Sequence, residues 1–432
     1  MDHTTHSTCT TILVGKNASY DGSTIIARNE DAGVAVNPKK FVVVQPEDQP
    51  RNYQSKLSKF SIKLPDNPVR YTSVPDATPE KGIWGEAGVN AHNVAMSATE
   101  TITTNPRILG ADPLVKNGLG EEDLLTITLP YIKSAKAGVE RVGSLLEKYG
   151  TYESNGIIFS DVNDIWYMET AGGHHWVAQR IPDDSYVIAP NQTGIQEIDF
   201  DDPDHFMYAS DLKNFVEQHH LNLSDNFNFR KIFGSDTQLD HHYNTPRAWY
   251  GQRYFNPETV KDKSPMSHDL SFICHANRNQ ELSVIQLRPY VPSDYSAIQW
   301  LAFAANPSNT LVPFFTNVQD TPDCYRDTTK IVDSQNAYWV NRLISLIAAD
   351  HYHAVMDDIE AYQDQLMGYG HKRITHIDNK VEGLSGSKLT ASLQAANEKT
   401  ADHVVKATRK LLTTMLTKTS NGVAGSFDRK HY

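Results

Sequence analysis

The stretch CTTILVGKNASYDGSTIIARNED, Cys9 to Asp31, decides how the fold is read. Two β-branched runs, TTILVG from Thr10 and STIIAR from Ser23, flank the polar, glycine-containing link KNASYDG. Apolar runs bounded by turn chemistry of this kind read as a β-hairpin. With the turn centred near Ala18 and Ser19, antiparallel pairing sets Cys9 opposite Arg28 and leaves Asp31 just beyond the strand end. The hairpin is therefore expected to bring these three side chains together.

Working outward, FVVVQ from Phe41 is a third apolar run, and GIWGEAGVNAHNVAMSATET from Gly82 predicts a strand over Asn93 to Thr99. Helical spacing runs from Asp123 to Tyr149 through Leu125, Leu129, Ile132, Val139, Val142, Leu145 and Leu146, with Pro130 expected to kink or divide it. A meander then follows: GIIFS, IWYMET, HWVAQR and YVIAPNQ, each short and bounded by turn residues. Short helices and loops fill Asp199 to Pro265, strands return at LSFICH, LSVIQLR and AIQWLAFA, and two helices close the chain near Ser334–Met367 and Ser387–Lys418. Strands grouped antiparallel between helical layers predict an α+β fold rather than a doubly wound parallel one. One large domain over 9–330 is expected, with a helical region, 331–432, packed on it and a polar leader, 1–8, in front.

The composition narrows the function classes. At 432 residues the chain is long enough to bury a sizeable core, and 39% hydrophobic against 21% charged residues is too apolar for a disordered protein. No apolar run approaches the roughly 18 residues that a membrane helix requires. A net charge of −12 with no basic cluster argues against nucleic-acid binding. The first residues, MDHTTHSTC, lack the basic start and long apolar middle of a secretory signal, so a cytoplasmic protein is expected. Cys9, Cys274 and Cys324 match neither a disulfide framework nor a zinc knuckle, and the last two read as small buried hydrophobes.

From position alone, Cys9 reads as a strand residue behind a frayed polar tail. Its surroundings add a chemical reading. If the Thr8–Cys9 bond is cut, Cys9 becomes N-terminal, and its α-amino group, with an ordinary pKa of about 7.7 to 8.0, can serve as base toward a thiol near 8.5. A cation at Arg28 favours thiolate, and a carboxylate at Asp31 can orient the amine, although a surface ion pair at the hairpin end explains those two equally well.

The run CTTILVGKNASYDGSTIIARNED resembles the opening of the cysteine-type dipeptidase A family, N-terminal nucleophile hydrolases related to choloylglycine hydrolases and penicillin V acylases. The Cys, the DGS turn and the RNxD-type segment recur together, and GVNAHNVAMSATET, APNQ and NTPRAWYGQRYF follow in order. This resemblance implies a four-layer αββα fold with antiparallel sheets, and dipeptide hydrolysis through a thioester on Cys9 without cofactor or metal. It implies that Arg28 and Asp31 are the polar pair beside the nucleophile, that Asn191 is an oxyanion donor, and that Arg247 is another active-site arginine. Thr99 and Glu100 fall where the wider superfamily carries a second oxyanion asparagine, a departure that leaves that donor unassigned.

Three other readings stay open. An N-acyl amide hydrolase of penicillin V acylase or bile salt hydrolase type keeps the fold and changes the substrate. A zinc hydrolase is suggested by the pairs His174–His175, His219–His220 and His241–His242, but no HExxH occurs, and adjacent histidines on a strand point to opposite faces. A non-catalytic binding protein would retain the fold alone. Trp249, two residues from Arg247, reads either as core or as pocket lining. The apolar spacing of the closing helices fits either cover for a sheet or a homo-oligomer contact.

Overall fold

The structure, a computed structural model, describes residues 9–31, 36–78, 80, 82–255, 279–304 and 306–427. The expected leader, the LSFICH strand and Cys274 lie outside them.

Among the described residues the chain forms two six-stranded antiparallel sheets. Their strands, in chain order, are β1 (Thr10–Val14), β2 (Thr24–Asp31), β3 (Ala87–Val89), β4 (Ala95–Thr101), β5 (Asn155–Ser160) and β6 (Ile165–Ala171). They continue as β7 (His175–Arg180), β8 (Tyr186–Ala189), β9 (Phe206–Tyr208), β10 (Asn279–Leu287), β11 (Ala297–Phe303) and β12 (Val312–Phe315). The first sheet runs β8-β1-β2-β10-β11-β12 and the second β9-β7-β6-β5-β4-β3. Two short ladders, Val42–Val44 with Tyr71–Ser73 and Asn52–Gln54 with Ser61–Lys63, stand beside them.

The meander holds for β5, β6 and β7, but the fourth run, Tyr186–Ala189, leaves it and pairs with β1 in the other sheet. This crossover carries Asn191 to the start of the hairpin. The strand expected over Asn93–Thr99 begins two residues later, because Asn90 to Asn93 make the turn, with Asn93 at φ 55°.

Pro130 divides the long helical pattern as expected: α1 (Glu121–Thr128) and α2 (Ala135–Tyr149) are separated by a 3₁₀ turn, Leu129–Tyr131. Ser134 caps α2 by accepting from the Ala137 N–H at 3.1 Å, and Gly150, at φ 69°, ends it. Val139, Val142 and Leu146 face the second sheet, and Gly138 and Gly143 let the backbone approach it, since a methyl at either would overlap the Phe159 or Trp176 ring.

The first sheet is covered by α4 (Ala337–Val381) and α5 (Gly386–Phe427), which also pack on each other. Both are longer than the sequence pattern suggests, and α4 bends at His351, whose φ/ψ of −129°/28° is non-helical. Phe303, Val312 and Phe314 meet Tyr338, Ile344, Val355 and Met415 in this layer. The inner faces of the two sheets contact each other through β2 with β4 and β5, and through β3 with β10 and β11. Among the described residues no helix is long and apolar enough to cross a membrane.

Candidate active site

Cys9 immediately precedes β1, between β8 and β2. Thr11 pairs with Ala189, so continuing that register by two residues sets Cys9 against Asn191. On the other side Thr10 pairs with Asn29 and Thr11 with Arg28, which sets Cys9 against Glu30 rather than Arg28. The hairpin register thus differs by two residues from the one expected, because the link turns later than Ala18–Ser19. A shift of two preserves the face. Arg28 still reaches the sulfur, with Nη2 3.1 Å from Cys9 Sγ, both residues fully buried.

Asp31 departs from the expectation. It lies inside β2, and strand alternation puts it on the face opposite Arg28. There its Oδ1 accepts from Asn29 Nδ2 at 3.0 Å and from Asn279 Nδ2. Oδ2 is buried with no hydrogen-bond partner among the described residues, and burial pushes the carboxyl up to about 7. The hairpin therefore brings two of the three side chains together and holds the third behind the backbone.

On the β2 side of Cys9 stands a buried cluster of charges. Arg28 donates to Glu86 through Nη1 and to Glu121 Oε1 at 2.8 Å through Nη2. Glu86 Oε1 also takes Lys39 Nζ at 2.9 Å, and that ammonium meets Asp76 at 2.5 Å and Glu30 at 2.9 Å. Glu281 stands nearby, with Oε2 accepting from Ser283 Oγ at 2.7 Å. Burial alone would discharge Arg28, but Cys9, Glu86, Glu121 and Glu30 hold it well above its ordinary value. Burial pushes Glu281 up to about 7 and Glu30 well above its usual range, whereas Arg28 and Lys39 keep Glu86 below its own. Glu86 sits at φ 55°, a left-handed conformation that costs a non-glycine residue on the order of 1 kcal/mol and that its two ion pairs hold in place.

On the β8 side the site is built from amides around one guanidinium. Arg247 comes from α3 (Thr245–Phe255), entered directly from a π-turn, Asp240–Asn244. Such turns are common where function demands a particular side-chain direction. Arg247 Nη1 donates to the Cys9 carbonyl at 2.7 Å and to Thr10 Oγ1 at 3.1 Å, and Nη2 donates to Asn191 Oδ1 at 2.8 Å and Asn244 Oδ1 at 2.9 Å. Asn244 Nδ2 in turn donates to the Asn191 carbonyl at 3.0 Å and to Asp240 Oδ1 at 2.9 Å. Because a guanidinium only donates, the Asn191 amide must offer it oxygen. Its Nδ2 is then left buried without a partner among the described residues. The loop beyond is held by Glu169, whose carboxylate accepts from the N–H groups of Gly194 at 2.6 Å and Ile195 at 3.2 Å.

Thr99 and Glu100 lie in β4 of the second sheet, where a bulge interrupts pairing with β5 between Ser97 and Glu100, and their side chains are outside the described set. The residues beside them reach the charge cluster: the Ala98 N–H donates to the Glu86 carbonyl at 2.6 Å and Thr101 Oγ1 to Glu121 Oε2 at 3.3 Å. Trp249 is not a core residue, being 56% exposed. The face argument against the histidine pairs does not hold for His174 and His175. His174 sits in the turn before β7, and both rings converge on Asp112, at 2.9 Å and 2.7 Å. Cys324 is half-buried, and burial pushes its thiol up to about 12. Lys39, Glu86, Glu121, Glu281 and Asn244 went unread in the sequence. Each looks like a solvated polar residue, although Asn244 opens the recognised segment NTPRAWYGQRYF and Glu86 stands two residues before GVNAHNVAMSATET.

Comparison with known proteins places the chain in a family. The sequence model of Peptidase family C69 matches residues 8–279 and 275–365. "Probable dipeptidase A" of Streptococcus pyogenes serotype M18 (strain MGAS8232) is 45% identical over 463 residues, covering 97% of each chain. "Dipeptidase A" of Lactobacillus helveticus is 45% identical, covering 94% of this chain and 96% of its own, and "Dipeptidase" of Bifidobacterium longum (strain NCC 2705) is 46% identical, covering 92% and 88%. With the family model spanning most of its length and relatives of this identity aligned almost end to end, the chain belongs to Peptidase family C69.

Proposed function

We propose that the protein is a cysteine-type dipeptidase in which Cys9, made N-terminal by cleavage after Thr8, attacks the peptide bond of a dipeptide. The observation that carries this reading is the Arg247 guanidinium, which ties the Cys9 carbonyl to Asn191 Oδ1 and leaves the Asn191 amide N–H buried without a partner among the described residues, a donor suited to an oxyanion. The names of the relatives supply the substrate class. Two antiparallel sheets with α2 on one and α4 and α5 on the other support a four-layer αββα arrangement of N-terminal nucleophile type.

The chemistry follows from the geometry. The Cys9 thiol passes its proton to its own α-amino group, and Arg28 stabilises the thiolate. Sulfur attacks the scissile carbonyl carbon, and the oxyanion that forms accepts from Asn191 Nδ2 and a backbone N–H. Collapse of the tetrahedral intermediate expels the second amino acid as an amine, which takes the proton back from the ammonium and leaves a thioester. Water then hydrolyses the thioester, releasing the first amino acid and regenerating the thiol. The buried Asp31 Oδ2 is an acceptor suited to orient the α-ammonium from behind the strand.

The test is hydrolysis of a dipeptide panel by the wild type and Cys9→Ala, read together with intact mass. Cys9→Ala is expected to be inactive, and active protein is expected to begin at Cys9. Full activity with Met1 to Thr8 still attached would overturn the amino-terminal base. Cleavage of N-acyl amides with no dipeptide turnover would replace dipeptides by acyl amides as the substrate class.

A further inference from the structure

We propose that Lys39 is a positioning residue for the nucleophile: by taking up Glu30, Asp76 and Glu86 it keeps the Arg28 charge directed at the Cys9 sulfur. The inference rests on the reading of Cys9 as nucleophile and adds a residue that touches neither the thiol nor the scissile bond.

The argument is one of buried charge. Two cations, Arg28 and Lys39, stand against Glu30, Asp76, Glu86, Glu121 and Glu281 in one buried cluster. Arg28 contacts the sulfur, and it does so while binding Glu86 and Glu121. A guanidinium paired with two carboxylates presents little positive potential to a third anion. Lys39 changes that balance from the far side, because its ammonium takes the second oxygen of Glu86 and binds Glu30 and Asp76. It is fully buried, and its backbone bridges to Asp76. A buried lysine with three carboxylate partners and no role in surface solubility is an expensive feature unless its charge is used. The remaining charged groups at Cys9 are its own α-ammonium in the mature chain, which is common to every variant compared, and Arg247 and Asp31, which approach from the β8 side and from the opposite face of β2 and do not contact Lys39.

Removing the ammonium takes one positive charge from the cluster behind Arg28 and leaves its carboxylates less compensated. The thiol midpoint should rise by on the order of one pH unit. The experiment uses the mature full-length chain and follows thiolate ultraviolet absorbance against pH, each variant being differenced against its own Cys9→Ser counterpart. Lys39→Met should raise the midpoint and move the acidic limb of kcat/KM by the same amount. Lys39→Met/Asp76→Asn should return both toward wild type, since Asp76 contacts Lys39 and Asn37 but not Arg28. A merely structural lysine predicts a Lys39→Met midpoint equal to wild type, or a double variant no closer to it, and either result overturns the proposal. If Lys39→Met does not fold, Asp76→Asn alone decides: a lowered midpoint supports the proposal, and an unchanged or raised one overturns it. The ultraviolet titration reads the thiol without turnover, so an active Cys9→Ala chain would sink the nucleophile reading separately from this one.

Discussion

Cys9 is flanked by two clusters of opposite character. Toward β2 the neighbours are ionisable groups, Arg28, Glu30, Lys39, Glu86 and Glu121, while toward β8 and α3 they are amides, Asn191 and Asn244, strung on a single guanidinium. Charges act through distance and set protonation, whereas amide hydrogen bonds act through direction and set where a donor points. On the proposed mechanism, the difference teaches that making the nucleophile and holding the oxyanion fall to separate groups. Each half can therefore be broken without breaking the other.

The largest effect is expected from Arg28→Met. It removes the guanidinium that contacts the sulfur and takes an ion-pair partner from two buried carboxylates, so stability should fall by about 3–5 kcal/mol and activity by more than about 10³-fold. Urea unfolding and dipeptide hydrolysis on the same preparation would show both losses. Asn191→Ala breaks the amide half instead. Here kcat should drop by about 10²–10³ while the pH–rate profile keeps its limbs, because no charge near the thiol has changed. A moved acidic limb would show that the two halves are not separable. Asn244→Ala is gentler, since it loosens Asn191 and Arg247 without removing either. A loss of about 10-fold in kcat, with little change in KM, is expected from the misdirected donor.

The two halves were unequally legible in the sequence. The hairpin and the shared face of Cys9 and Arg28 came from local pattern and survived a register shift of two because side chains alternate with period two. The same rule separates Arg28 from Asp31, which are an odd number of residues apart, and applying it along β2 would have placed Asp31 behind the strand. Asn191 and Arg247 were reached through family-like segments rather than spacing, since their meeting depends on Tyr186–Ala189 crossing to the other sheet. The charge cluster was invisible for a physical reason. Lys39, Asp76, Glu86, Glu121 and Glu281 come from five separate segments, and a charged residue has no local signature that distinguishes burial with partners from exposure to water.

The smallest expected effect tests whether the amide half carries a titrating group of its own. Glu169 is buried beneath the loop that follows Asn191, and although the Gly194 and Ile195 N–H groups favour its charged form, burial dominates and pushes it from 4.5 up to about 7. The native state therefore binds this proton more tightly than the unfolded chain does. Its contribution to stability is fully present below the unfolded value of 4.5 and is lost as pH rises through about 7. Over that window the change is at most about 3 kcal/mol, at about 1.4 kcal/mol per unit. Glu169→Gln cannot ionise but, because its amide NH₂ cannot accept, gives up one of the two backbone N–H bonds, so its stability should fall somewhat below wild type near about pH 5 and the gap should narrow toward about pH 8. Urea midpoints measured across that range would show a flatter profile for the variant. If the wild-type slope persisted unchanged, the titration would belong to the other carboxyls held near 7, Asp31, Asp123 and Glu281, and the amide half would be as pH-insensitive as its hydrogen bonds suggest.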